Sequence, residues 1–315
     1  MSSPANKFLS SPKTVAIVGC PFGGGGIPTK AGVDKGPSHI VDAGLVTQLE
    51  ELGWKVEFDG HQRFESLVPE NDPPIGKLKN PRTVSAVCES VAKVVGGHAR
   101  AGRLPVSLGG DHSLAMGTIS GTLDAYPDAC VIYVDAHTDI NTVATTDSGN
   151  MHGMPVSFLM GLSSGVDAFA WLKGALRPER MVYIGLRDLD ASEKRILREN
   201  SIRAFSMRDV DRHGICRVVG MALDRVNPDR DRPIHLSFDI DALDPSVAPS
   251  TVLPVQGGLT FREGHSVCDA IHETGLLVAL DLVEVNPSIG DVKDVQQTVR
   301  VACSLIRTAL GETLV

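Results

Sequence analysis

From Thr14 onward, short apolar runs alternate along the chain with longer stretches in which apolar residues recur every three or four positions. The short runs fall at Thr14–Val18, Val56–Asp59, Leu104–Leu108, Cys130–Asp135, Met181–Leu186, Ile234–Asp239 and Leu277–Val283. Each is nearly continuous in apolar or β-branched residues, as a strand covered on both faces must be. Helical spacing appears near Ser38–Leu52, Thr83–Ala101, Ser192–Glu199, Val210–Val226, Arg262–Thr274 and Val292–Leu310. Strands that alternate with helices predict an α/β fold, with a parallel sheet and covering helices. No repeat, long linker or shift in composition divides the chain, so a single domain over residues 14–315 is expected. Residues 1–13 read as a short disordered tail. The segment Val68–Pro81 holds four prolines and reads as an ordered surface excursion.

Composition narrows the function classes. With 315 residues, 42% of them hydrophobic, the chain can bury a sizeable core. Lys and Arg number 30 against 38 Asp and Glu, a net charge of -8. That sign excludes a surface built to collect nucleic acid or anionic lipid and suits a small cationic substrate. No run approaches the roughly 18 apolar residues of a membrane span, and the first residues carry neither an apolar block nor Arg, so no secretory signal or presequence is expected. The six cysteines are scattered without a CxxC pair. They read as reduced thiols, mostly in the core, of a soluble cytoplasmic protein.

Four of the expected strands end in polar clusters: Gly109-Gly110-Asp111-His112-Ser113, Asp135-Ala136-His137-Thr138-Asp139, Asp239-Ile240-Asp241 and Glu284-Val285-Asn286-Pro287. Ligand sites in open α/β sheets lie beyond the carboxyl ends of the strands, where such clusters can converge. Asp135, His137 and Asp139 alternate at i, i+2 and i+4, so an extended backbone points all three to one side. Asp239 and Asp241 repeat the spacing. With His112 they make four carboxylates and two imidazoles, a hard donor set suited to two divalent ions such as manganese. Four crowded carboxylates need such cations to stay ionised together. A calcium loop at Asp239 is excluded by Leu243 at its fifth position, and a phosphatase nucleophile there fits poorly so late in the chain. The Gly23–Gly26 run lacks the spacing of a phosphate cradle and reads as a flexible loop.

With its clusters GGDHS at Gly109–Ser113, DAHTDIN at Asp135–Asn141, SGNMHGMP at Ser148–Pro155, GLRDLD at Gly185–Asp190, SFDIDALDP at Ser237–Pro245 and EVNP at Glu284–Pro287, the chain resembles the arginases over nearly its whole length. The resemblance implies a three-layer α/β/α fold with a mostly parallel sheet and a homotrimer, with Arg262 and Glu263 at positions that contribute to subunit contacts. It implies two Mn2+ per subunit, bridged by Asp135 and Asp239, with His112 and Asp139 completing one site and His137 and Asp241 the other. The chemistry implied is hydrolysis of L-arginine to L-ornithine and urea by a hydroxide between the ions. Glu284 matches the carboxylate that pairs with the guanidinium, and His152 the proton-shuttling histidine. Asn141 and Ser148 match positions that bind the substrate carboxylate, and Asp190 and Glu193 the acids around its amino group.

Two departures from the family pattern bear on substrate choice. Relatives read TGTP where this chain has Thr251-Val252-Leu253-Pro254, and Asp147 adds a charge before Ser148. If the loop needs positive φ, Val252 is disfavoured there. Leu253 removes a hydroxyl. These changes leave open a hydrolase of another guanidino compound, such as agmatine or guanidinobutyrate, or a binding protein with impaired catalysis.

Overall fold

A computed structural model describes residues 5–313, which form one eight-stranded, wholly parallel sheet. The strands are β1 (Thr14–Cys20), β2 (Lys55–Glu57), β3 (Leu104–Gly109), β4 (Cys130–Val134), β5 (Met181–Leu186), β6 (Arg203–Ser206), β7 (Ile234–Asp239) and β8 (Leu277–Val283). Their order across the sheet is β2-β1-β3-β8-β7-β4-β5-β6. The four clusters noted in the sequence therefore sit on four adjacent central strands, β3, β8, β7 and β4. In register, Asp239 pairs with Val283, the residue before Glu284.

The helices are α1 (Gly36–Asp42), α2 (Leu45–Glu51), α3 (Pro81–Arg100), α4 (Ala115–Ala125), α5 (Pro155–Leu159), α6 (Ala191–Glu199), α7 (Met207–His213), α8 (Ile215–Val226), α9 (Phe261–Glu273) and α10 (Val292–Ala309). They cover both faces, giving the expected three layers. Strand parity sorts the core. On β4, Cys130, Ile132 and Val134 pack with residues of α8, α9 and α10, whereas Val131 and Tyr133 pack with α4. Asp281 of β8 faces the α4 side as well. Its Oδ2 accepts Thr118 Oγ1 of α4 (2.5 Å) and lies 2.8 Å from His235 Nε2. Thr122 of α4 closes this buried polar group on His235 Nδ1 at 2.8 Å.

Several elements differ from the sequence reading. The expected helix over Ser38–Leu52 breaks at Gly44, whose φ is 89°. The one over Val210–Val226 breaks at Gly214, φ 74°. The two edge strands lack the apolar run of the six inner ones: β6 has one buried residue in four, and β2, Lys55–Glu57 where the sequence predicts Val56–Asp59 covered on both faces, has none. α4 went unseen because Gly and Thr are weak helix formers and the helix is buried nearly all round, leaving no polar face to set a period. It is held by close packing on α3: a Cβ at Gly117 would lie 2.4 Å from Cys88 O, and one at Gly121 2.5 Å from Ala92 O. Residues 5–13, expected as disordered tail, are instead docked. Asn6 Nδ2 donates to Leu277 O (2.6 Å), Lys7 N to Gly275 O (3.0 Å), and Leu9 is buried in the core. Residues 1–4 of that expected tail lie outside the described residues. All six cysteines are free thiols, and only Cys216 is exposed. Among the described residues no helix is long and apolar enough to cross a membrane.

Candidate active site

At the carboxyl ends of the central strands, two groups of potential metal donors share one residue. His112, Asp135 and Asp139 form the first, and Asp135, His137 and Asp241 the second. His112 follows β3 in a short helical turn that Asp111 caps, its Oδ1 accepting Ser113 N (3.0 Å). His112 Nδ1 lies 3.0 Å from Asp135 Oδ2 and 3.1 Å from both Asp139 Oδ2 and Asp239 Oδ2. It has hydrogen-bond geometry to none of them, and Asp135 Oδ2 is likewise buried without a partner. Donors that close on one another in this way are turned toward a common centre between them. In the second group, His137 Nδ1 is 3.4 Å from Asp135 Oδ1 and 3.2 Å from Asp241 Oδ2. Asp239 stands outside both groups but touches a member of each: its Oδ2 lies 3.1 Å from His112 Nδ1, and its Oδ1 accepts Asp241 N (2.8 Å).

The electrostatics fit the same donor set. Burial, with Asp139 and Asp241 adding repulsion, raises Asp135 to about 6. Asp239 is pushed well above the carboxylate range by burial and by Asp241 and Asp135. Burial opposes charge on His137, yet Asp241 and Asp135 prevail and raise it to about 12. Anions that repel one another so strongly at bond-forming distances need positive charge among them, and two divalent cations suit this set of oxygens and imidazoles.

Around these groups is a cavity of about 410 Å³. His137, Asp139, Asp239 and Asp241 reach its floor, with Glu284 and His152 beside them. Glu284 has φ 64° and Asp139 φ 50°, left-handed conformations rarely held by such residues. Strain of this kind, of order 1–3 kcal/mol per residue, persists where surroundings fix it, and it clusters at functional sites. Glu284 Oε1 accepts His112 N (2.8 Å) and lies 3.3 Å from His152 Nδ1. Its Oε2 is buried with no partner. Burial works against charge on His152, but the Glu284 carboxylate raises it to about 9.

Asn141, Ser148, Asp190 and Glu193 all line the same cavity. Asn141 Nδ2 donates to Asp190 Oδ2 (3.2 Å), and Ser148 Oγ accepts Asn150 N (3.2 Å). Glu193 is buried, and its Oε2 accepts the Asp190 N–H at the start of α6 (2.9 Å). Asp147 points away, fully exposed, with Lys77 Nζ 3.2 Å from its Oδ1. Its extra charge is met outside the cavity. The proline-rich excursion buttresses this loop: Lys77 Nζ donates to Thr146 O (2.9 Å) and Lys79 Nζ to Asn150 Oδ1 (2.9 Å). Nor is the glycine run a free loop. Asp111 Oδ2 accepts Gly25 N (2.9 Å) and Gly26 N (3.1 Å), and Gly25 O accepts His152 N (3.0 Å).

Some residues of the site escaped sequence reasoning. Asp188 lines the cavity, 3.8 Å from His137 Nε2, and its i, i+2 spacing with Asp190 was the available signal. Ser237 Oγ sits 3.0 Å from His112 Nε2, two residues before Asp239 on the same strand face. Tyr133 stacks on His112 with ring centroids 4.5 Å apart and donates its hydroxyl to Asp139 Oδ2 (2.9 Å). Within an apolar strand it carried no signal. Lys30 also lines the cavity.

A parallel α/β sheet with a paired carboxylate–imidazole centre at its carboxyl edge, and a cavity of acids to receive a cation, defines a metal-dependent amidinohydrolase. The comparisons with known proteins make the assignment specific: residues 13–311 match the Arginase family, and the chain belongs to that family. An arginase of Glaciozyma antarctica (strain PI12) is 59% identical over 320 residues, covering 100% of this chain and 92% of the relative. An arginase of Neurospora crassa is 54% identical over 328 residues, covering 100% and 90%. The crystal structure of a cold-adapted arginase from the psychrophilic yeast Glaciozyma antarctica superposes with a TM-score of 0.82 at 52% identity, covering 99% of this chain and 100% of that one.

Proposed function

We propose that the protein hydrolyses L-arginine to L-ornithine and urea with two manganese ions in its centre. His112, Asp135, Asp139 and Asp239 would hold one ion, and Asp135, His137, Asp239 and Asp241 the other. When bound, two such ions balance the crowded carboxylates and acidify water, so that hydroxide is available near neutral pH. The chain's own residues supply binding, orientation and proton transfer. Glu284 pairs through its free Oε2 with the substrate guanidinium, fixing the carbon above the paired donors. His152, held protonated by Glu284, gives its proton to the amine that leaves as the carbon–nitrogen bond breaks. Asn141 and the Ser148 hydroxyl, whose hydrogen remains to be donated, read the substrate carboxylate. Asp190 and Glu193 face its ammonium.

The observation that carries this reading is the buried, unpartnered Oε2 of Glu284 beside His152, on the cavity floor next to both donor groups. The test is urea release by manganese-loaded protein. L-arginine is expected to be turned over at least about tenfold more efficiently than agmatine, the loss of one good polar contact costing roughly 1.4 kcal/mol. A preference for agmatine would reject Asn141 and Ser148 as carboxylate readers. We also read the protein as a cytoplasmic homotrimer, without nucleic-acid or membrane partners. The exposed Phe261, followed by Arg262 and Glu263 at the start of α9, supports a subunit contact there.

A further inference from the structure

Among the described residues, Lys30 is the only Lys or Arg that lines the cavity. It follows the glycine loop in a short helical turn, Pro28–Lys30, and its backbone is fixed from the sheet side: Asn286 Nδ2, two residues past Glu284, donates to Lys30 O (2.9 Å). As an exposed residue of the lining it marks the solvent-facing edge of the cavity, its mouth, and there Nζ donates to Val252 O (2.7 Å), one residue before the cavity-lining Leu253. An ammonium has three N–H donors, so this contact leaves two. Among the described residues no carboxylate is paired with Lys30 by distance, although the cavity wall is rich in them.

The charge balance makes this cation informative, because His152 is matched by Glu284 at 3.3 Å whereas Lys30 has no such partner among the described residues. With the metal ligands set aside, the cavity still presents Asp188, Asp190, Glu193 and Glu284. Those acids suit the guanidinium and ammonium of an amino-acid substrate, and they repel its carboxylate. Asn141 and Ser148 offer neutral dipoles only, and one of the two Asn141 Nδ2 hydrogens is taken by Asp190. A substrate with a carboxylate at its outer end gains from one uncompensated positive charge at the mouth, and a dication without a carboxylate loses from it.

We propose that Lys30 is a specificity-determining residue that favours guanidino substrates bearing a carboxylate, an inference that rests on the arginine reading above. Its ammonium, held at the mouth by the Val252 carbonyl, attracts the carboxylate and disfavours purely cationic guanidines. Steady-state urea release is compared for the manganese-loaded wild type, Lys30→Gln, Lys30→Arg and Lys30→Glu, on L-arginine and on agmatine. Lys30→Gln should raise the KM for L-arginine about tenfold and lower that for agmatine, moving the KM ratio by more than tenfold, while kcat on L-arginine stays within about twofold. Lys30→Arg should keep the wild-type ratio and Lys30→Glu exceed the Gln effect. The shift should shrink in 0.5 M salt, roughly as screening of an exposed charge requires. If both substrates weaken equally, or kcat collapses for both, Lys30 merely braces the Val252 loop and the proposal is overturned. An unchanged ratio overturns it as well. A wild-type protein that releases urea from neither substrate would instead refute the arginine reading, which separates the two failures.

Discussion

Replacing Glu284 with Gln tests the central claim about the site, because it removes one charge and almost nothing else. The amide keeps an oxygen where Oε1 accepts His112 N at 2.8 Å, so the turn that carries His112 retains its anchor. What is lost is the carboxylate charge, both at the buried, unpartnered Oε2 and at Oε1, where it favours protonated His152. Removing one member of a buried charge pair costs about 2–5 kcal/mol, and each 1.4 kcal/mol is a factor of ten. The expected fall in kcat/KM for L-arginine is therefore about 30-fold to about 4,000-fold. Because Glu284 also fixes where the guanidinium carbon lies, kcat should drop along with a rise in KM. Urea release over a range of L-arginine, with manganese content measured on the same sample, is the assay. Loss of activity with both ions retained fits a substrate-pairing carboxylate. A kcat/KM within threefold of wild type, or a loss that tracks loss of metal, would refute the reasoning.

Asp241→Ala should leave a protein that retains one ion by metal analysis and less than about 1% of wild-type activity, whereas two ions at full activity would overturn the ligand assignment. Metal-free protein should be less stable at pH 7 than at pH 5: Asp135 is raised by burial, Asp139 and Asp241 to about 6, so its contribution is present below its ordinary 3.8 and lost as pH rises through about 6. Thermal melts at the two pH values, with and without manganese, check this, and the difference should vanish on metal binding. Leu253→Thr places a hydroxyl on the cavity wall and should raise kcat/KM for L-arginine by about 2- to 10-fold, the worth of one modest hydrogen bond; unchanged kinetics would make Leu253 a neutral replacement. Val252→Gly should lower the melting temperature without raising activity, since it strips a buried side chain and loosens the backbone.

How much of this was legible in the sequence follows from what each signal depends on. The six buried apolar strands and the i, i+2 spacing of Asp135, His137, Asp139, Asp239 and Asp241 are local, so they survive being read one residue at a time. β6 and α4 are not local in that sense. β6 exists because its backbone pairs in parallel with β5, and α4 because Gly117 and Gly121 let it lie against α3. The same division runs through the site. The proposed ligands announce themselves by spacing, whereas Lys30, Tyr133 and Ser237 matter only through what the fold sets opposite them, Val252 O, Asp139 and His112.

The Val252-Leu253 departure shows why spatial context decides such cases. A glycine in that position suggests a need for positive φ, which a β-branched residue resists. Here Val252 is not among the non-glycine residues with positive φ, the residue is 3% exposed, and its carbonyl is taken by Lys30. On either side, Thr251 bridges to Val285 and Arg187 holds Val255 O through Nη2 at 2.7 Å. The strained left-handed backbone lies elsewhere, at Asp139 and Glu284, the proposed metal ligand and guanidinium partner. The loop can therefore take Val252 without backbone strain while both functional carboxylates keep their directions. Whatever change in substrate handling this loop brings must come through the side chain of Leu253, and through the cation that its neighbour's carbonyl holds in place.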